Sequence, residues 1–129
     1  ENNEIFSDAS ETGWGICCSG KKSQGFWSEI EKQHHINYLV LLVVFFGLKC
    51  FAANLLQCNI LCHVDNTTAL AYINKMGSVQ YPKLNSLSRT IWQWCEKRNI
   101  FLYASYIKSS NNNEADADSR SLAMETNGP

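Results

Sequence analysis

Apolar and polar positions alternate in short runs over the first part of the chain, and the alternation stops abruptly near residue 38. Glu4–Asp8 reads as a strand that closes on an acid, and Gly13–Ser19 and Ser23–Ser28 read as two more. The turn-like Gly20-Lys21-Lys22 separates the second from the third, so three antiparallel strands in sequence are expected. From Tyr38 the chain is apolar without a break to Phe46 and carries no proline as far as Leu56. That run is too long for a strand and predicts a buried helix capped by Asn37. Asn59–Val64 is a fourth strand, again followed by an acid, Asp65. A helix over Asn66–Met76 is stopped by Gly77. Pro82 precedes another over Lys83–Arg98, with Leu84, Leu87, Ile91, Trp94 and Cys95 at helical spacing. Ile100–Ile107 is the fifth strand, and a polar loop leads to a short helix over Asn113–Leu122. The order βββαβααβα describes an α/β domain over residues 1–122, a five-stranded mixed sheet flanked by helices, with a flexible tail over 123–129.

Composition agrees with one globular domain: 129 residues, 45% hydrophobic and 18% charged, with 7 Gly and 2 Pro. Eleven basic residues against twelve acidic ones leave a net charge of −1. Affinity for nucleic acid comes largely from phosphate contacts, so a domain without basic excess binds such a partner weakly alone or relies on a neighbouring domain. The six cysteines show no CxxC pair, which reads as free thiols in a reducing, intracellular setting, cytoplasm or nucleus. The apolar stretch Tyr38–Leu48 covers only about half a bilayer, so no membrane association is expected. The chain opens on a strand pattern without a methionine, which leads us to expect a domain cut from a longer polypeptide.

Asp8 and Asp65 each follow a hydrophobic strand, and Asp116 lies on the last expected helix. Strands that end together would set the first two side by side, with Asp116 closing over the same edge. Clustered carboxylates offer the hard oxygens that magnesium or manganese requires. Two such ions about 4 Å apart activate a water and stabilise the leaving oxygen in phosphodiester hydrolysis. The plainer alternative is that each acid is a turn or cap residue. His34, His35 and His63 form no nucleophile–base set, and Trp14, Trp27, Trp92 and Trp94 read as packing aromatics. Lys75, Lys83 and Arg89 flank the middle helices, as phosphate contacts or as a solvated face.

Several stretches, in order, resemble the ribonuclease H domains of retroelements. They are Ser7-Asp8-Ala9-Ser10-Glu11-Thr12-Gly13-Trp14-Gly15, Gly25-Phe26-Trp27-Ser28 with His35-Ile36-Asn37, and Val64-Asp65-Asn66-Thr67-Thr68-Ala69. Tyr72-Ile73-Asn74-Lys75-Met76-Gly77, Ile91-Trp92-Gln93-Trp94-Cys95 and Asn113-Glu114-Ala115-Asp116-Ala117-Asp118-Ser119-Arg120 continue the match. The nearest group is the DIRS type, whose elements encode a tyrosine recombinase beside the reverse transcriptase. The resemblance implies a ribonuclease H-like fold that cuts the RNA strand of an RNA–DNA hybrid with two magnesium ions, beside an upstream reverse transcriptase domain. It implies Asp8, Asp65 and Asp116 as metal ligands, and Ser10, Asn66 and Lys75 as substrate contacts.

One ligand is missing. The family places a glutamate in the first helix, within a segment much like Leu-Glu-Leu; here it is Leu39-Val40-Leu41, and no acid occurs between Glu31 and Asp65. With Asn37 as cap, Val40 would occupy the third helical position, a capping-box place valine cannot fill. Ile107-Lys108-Ser109-Ser110 replaces a turn that tends to read Ile-Pro-Gly, and Asp118 replaces a leucine. These departures predict a crippled copy in which magnesium or manganese binds weakly or not at all. Two alternatives stand beside that reading. One is an active hybrid ribonuclease, with Glu29, Glu31 or a water substituting for the glutamate. The other is a host-adopted module, without catalysis, that binds nucleic acid or protein.

Overall fold

Ser19 and Gly20 both take positive φ, 52° and 82°, and this two-residue reversal is what lets the first strands meander. The computed structural model describes residues 2–75 and 81–108. Its elements are β1 (Asn2–Ala9), β2 (Gly13–Cys18), β3 (Lys21–Phe26), a 3-10 turn over Glu31–Gln33, α1 (Ile36–Phe51), β4 (Asn59–Val64), α2 (Thr67–Ile73), α3 (Pro82–Glu96) and β5 (Phe101–Tyr106). Turns with positive φ at both central residues match the right-handed twist of paired strands. The reversal therefore falls one residue earlier than the Gly20-Lys21-Lys22 expectation, and β3 runs over Lys21–Phe26 rather than 23–28.

The five strands form one sheet in the order β3-β2-β1-β4-β5. β1 pairs antiparallel with β2 and parallel with β4, which pairs parallel with β5. A mixed five-stranded sheet flanked by helices was the expected architecture. The last expected helix and the tail lie outside the described residues.

α1 is apolar nearly all round because both of its flanks are buried. Val40, Leu41, Val44 and Leu48 share the main core with Ile5, Ile60, Cys62 and Val64. Leu39 and Val43 pack instead with Ile16 and Trp27 in a second cluster. Each such aliphatic side chain contributes roughly 1.5–3 kcal/mol relative to an exposed one. At Gly47 the helix approaches the sheet so closely that an added Cβ would lie 3.2 Å from Ile5 Cγ2. Across β2 and β3, the Trp14 indole covers Gly25, wedged among Trp27 and Phe46.

The helix ends correct the sequence reading in detail. His35, not Asn37, caps α1: its Nδ1 accepts from the Asn37 N–H at 3.1 Å. The helix stops at Phe51, short of Leu56, with Ala52 as its C-cap. Asn66 caps α2 by accepting from the Ala69 N–H at 2.8 Å. α2 ends before Gly77 is reached, because Lys75 takes the left-handed conformation, φ 56°, that commonly follows a helix end. Its last turn is tied to the sheet by Asn74, whose Nδ2 donates to the Ala104 carbonyl at 2.9 Å while its Oδ1 accepts from the Ala104 N–H at 2.7 Å.

Candidate functional site

Parallel pairing of β1 with β4 aligns Asn2 with Asn59 and Phe6 with His63. Asp8 follows Phe6 by two residues within β1, and Asp65 follows His63 by two, one residue past the end of β4, so the register carried forward sets the two acids level at the carboxyl ends of adjacent strands. Strands in a sheet lie about 4.8 Å apart. Asp8 is buried, 6% exposed, and faces Gly15 across the β1–β2 pairing, where no side chain competes for space. Asp65 is half-buried at the bend into α2. Just upstream, His63 stacks on Phe6 with ring centroids 4.2 Å apart, and its Nε2 meets Glu4 Oε1 at 2.7 Å. Asp116 lies outside the described residues, as do Ser109, Ser110 and Asp118.

Val40 is 4% exposed and belongs to the apolar cluster that includes Val64 and Ala69, which bracket residues 65–68. With His35 as cap, it is the fifth helical residue rather than the third, so the capping-box argument for a glutamate here does not apply. Of the two upstream acids, Glu31 is engaged locally and Glu29 lies at the surface. Glu31 closes a reciprocal box with Ser28: its Oε1 accepts from the Ser28 N–H at 2.8 Å, and the Glu31 N–H donates to Ser28 Oγ at 3.1 Å. Glu29 has a 91% exposed side chain, 3.6 Å from Lys32. The 3-10 turn that begins at Glu31 was not anticipated, although Ser28-x-x-Glu31 is its sequence signature.

The three residues expected to contact substrate are placed differently. Ser10 is consumed locally: its Oγ accepts from the Gly13 N–H at 3.2 Å, and its carbonyl accepts from Trp27 Nε1 at 2.8 Å. Asn66 lies beside Asp65, and its Nδ2 donates to Asn37 Oδ1 at 2.8 Å. This link between the starts of α1 and α2 was missed, because Asn37 reads in sequence as a cap. Lys75 is exposed, with its Nζ 3.9 Å from the Trp92 ring centroid.

Asn37 also lines a groove of about 600 Å³ between the starts of α1 and α3, together with His34, His35, Tyr38, Tyr81 and Lys83. The groove therefore adjoins the acidic edge through the Asn37–Asn66 bond. It joins aromatic faces, His34 stacked on Tyr38 at 4.0 Å among them, to one lysine and two histidines.

Two carboxylates at one strand edge suit a hard divalent cation, whose remaining positions water can fill. Among the described residues no three His, Cys, Asp or Glu side chains gather into a metal cage. Asp8 and Asp65 offer the oxygen donors that magnesium or manganese takes, and Val40, buried in the core, offers none. Among the described residues, no helix is long and apolar enough to cross a membrane.

No family model matches the sequence, and no curated protein does. Solved structures do match the fold. Ribonuclease H1 from the halophilic archaeon Halobacterium salinarum superimposes with a TM-score of 0.78 at 12% identity, covering 97% of this chain and 99% of that one. The N-terminal ribonuclease H domain of a Mycobacterium tuberculosis protein gives 0.75 at 13%, covering 97% and 98%. A compost-derived ribonuclease H1, solved in complex with an RNA/DNA hybrid, gives 0.71 at 13%, covering 98% and 99%. The chain has the ribonuclease H-like fold.

Proposed function

We propose that this domain is a retroelement-derived ribonuclease H relative, of the DIRS type, that keeps the hybrid-binding surface and has lost most or all of its nuclease activity. The observation that carries this reading is the burial of Val40, at the position where the resemblance expects a glutamate, within the apolar core. The reciprocal bonds between Glu31 and Ser28 support it. Asp8 and Asp65, with Asp116, would hold the metal, which when bound activates water and stabilises the leaving oxygen. The groove between α1 and α3 supports a nucleic-acid partner: Lys83 and the histidines suit phosphate, and the tyrosines suit bases. With a net charge of −1, binding by the domain alone is weak, and an adjoining reverse transcriptase domain would supply the remainder.

A cleavage assay on an RNA–DNA hybrid with magnesium or manganese tests the proposal. The chain as it stands gives no cleavage above background, whereas Val40→Glu, if it folds, gains manganese-dependent cutting. A misplacement of about 1 Å in such a site already costs on the order of 100-fold. Cleavage by the unaltered chain that Asp8→Asn abolishes would establish an active nuclease instead.

A further inference from the structure

The chain carries six free cysteines, and three of them, Cys58, Cys62 and Cys95, belong to or pack against the main core cluster. Cys95 sits fully buried on the last turn of α3. Cys58, half-buried, immediately precedes β4 and packs against the same cluster. Their backbones are tied to neighbouring residues of one short segment. The Ile100 N–H donates to the Cys95 carbonyl at 3.0 Å, and the Phe101 N–H donates to the Cys58 carbonyl at 2.9 Å. A third bond, from the Gln57 N–H to the Arg98 carbonyl at 2.9 Å, pins the approach. Cys58 lies close enough to act on the Cys95 thiol electrostatically, and Cys95 acts in the same way on Cys62, deeper in the core.

From this convergence we propose that Cys58 and Cys95 form a thiol pair that a small disulfide, such as oxidised glutathione, converts to an intramolecular disulfide. Cys58, the more accessible partner, attacks first. Its thiolate displaces one glutathione and forms a mixed disulfide. The Cys95 thiolate then attacks Cys58 Sγ and releases the second glutathione. The two protein thiols give up two electrons and two protons, and one oxidised glutathione becomes two reduced ones. The bond would clip the end of α3 to the start of β4, the strand that leads to Asp65. Closing so long a loop restricts the unfolded chain, so the oxidised form melts at a higher temperature.

The second step has a pH signature. Burial pushes the Cys95 thiol up to about 11, and Cys58 and Glu96 reinforce the rise while Arg98 opposes it. Thiolate is the attacking species, so closure of the ring accelerates about tenfold per pH unit below that value. The exposed Cys50 is a competing target and is replaced by serine throughout. Folded protein is incubated with oxidised glutathione at pH 7.5 and pH 9, quenched by alkylation, and mapped by mass spectrometry. The expected result is a glutathione adduct on Cys58 that gives way to a Cys58–Cys95 linkage, faster at pH 9. Cys95→Ala should stop at the adduct, and Cys58→Ser should give neither product. Absence of the linkage from folded protein at both pH values would overturn the proposal, as would its appearance only in denaturant.

Discussion

Asn66 Nδ2 donates to Asn37 Oδ1 at 2.8 Å, so the cap of α2 is fastened to the first turn of α1 beside the residue that follows β4. The orientation is determined: Asn66 Oδ1 already accepts from the Ala69 N–H, which leaves its amide nitrogen to donate. Replacing Asn37 with leucine strands that donor in a half-buried place and should cost about 1 kcal/mol. Asn37→Asp keeps an acceptor oxygen and should stay within about half of that loss. Urea denaturation of the two variants checks this; equal destabilisation would mean that the bond contributes little.

Val40→Glu tests the acidic edge through stability as well as cleavage. The new carboxyl would enter an apolar cluster, and at neutral pH the change should cost on the order of 3 kcal/mol without metal. Burial raises the folded-state pKa of this group above its unfolded value. Its relative stability is therefore fully present below about pH 4.3 and is lost as pH rises through the raised pKa. Manganese should return part of the loss at pH 7, and it should do so less when Asp8 is also replaced by asparagine. Thermal melts with and without manganese provide the readout. A metal-independent melting temperature would count against Asp8 as a ligand.

Alkaline pH should weaken the fold through its buried thiols. Burial pushes Cys62 up to about 12 and Cys95 up to about 11, against an ordinary value of 9.0. Between those limits the unfolded chain has lost protons that the folded one retains. Stability is then complete below pH 9 and falls above it, at most by about 1.4 kcal/mol per pH unit per thiol. Denaturation of reduced protein at pH 8, 9 and 10, beside the double variant Cys62→Ala with Cys95→Ala, isolates the effect. The variant should begin less stable and show the shallower decline.

Gly25→Ala should destabilise by about 1–3 kcal/mol, because the new Cβ would lie 2.7 Å from Trp14 Cζ2. Trp14 is wedged against Trp27 and Phe46, so it has little room to yield. Loss of near-ultraviolet circular dichroism from the tryptophans would accompany the lower melting temperature.

The strands and helices were legible because their signals are local. β4 was placed without error by NILCHV between polar residues, and α3, which runs over Pro82–Glu96 against an expected Lys83–Arg98, was placed to within two residues by leucines and isoleucine at helical spacing after Pro82. The start of α1 was not, since choosing between His35 and Asn37 depends on which side chain turns back to the backbone. Both types can do so, and only the surrounding chain decides. Glu31 shows the reverse case: its partner lies three residues away, and the box pattern was present to be read. Asp8 and Asp65 could be nominated from sequence because both end strands. Their common level depends on the β1–β4 register, which arises between segments far apart in the chain.

Asn74 has a consequence for how the molecule meets copies of itself. β5 is an outer strand, and the hydrogen-bonding groups along such a margin invite a strand from another molecule. At Ala104 both groups are already taken by one asparagine amide, which imitates a peptide unit. An incoming strand would have to expel that amide before it could run the length of β5. Asn74→Ala would open the margin there, and association between copies would show as concentration-dependent sedimentation that the unaltered domain lacks.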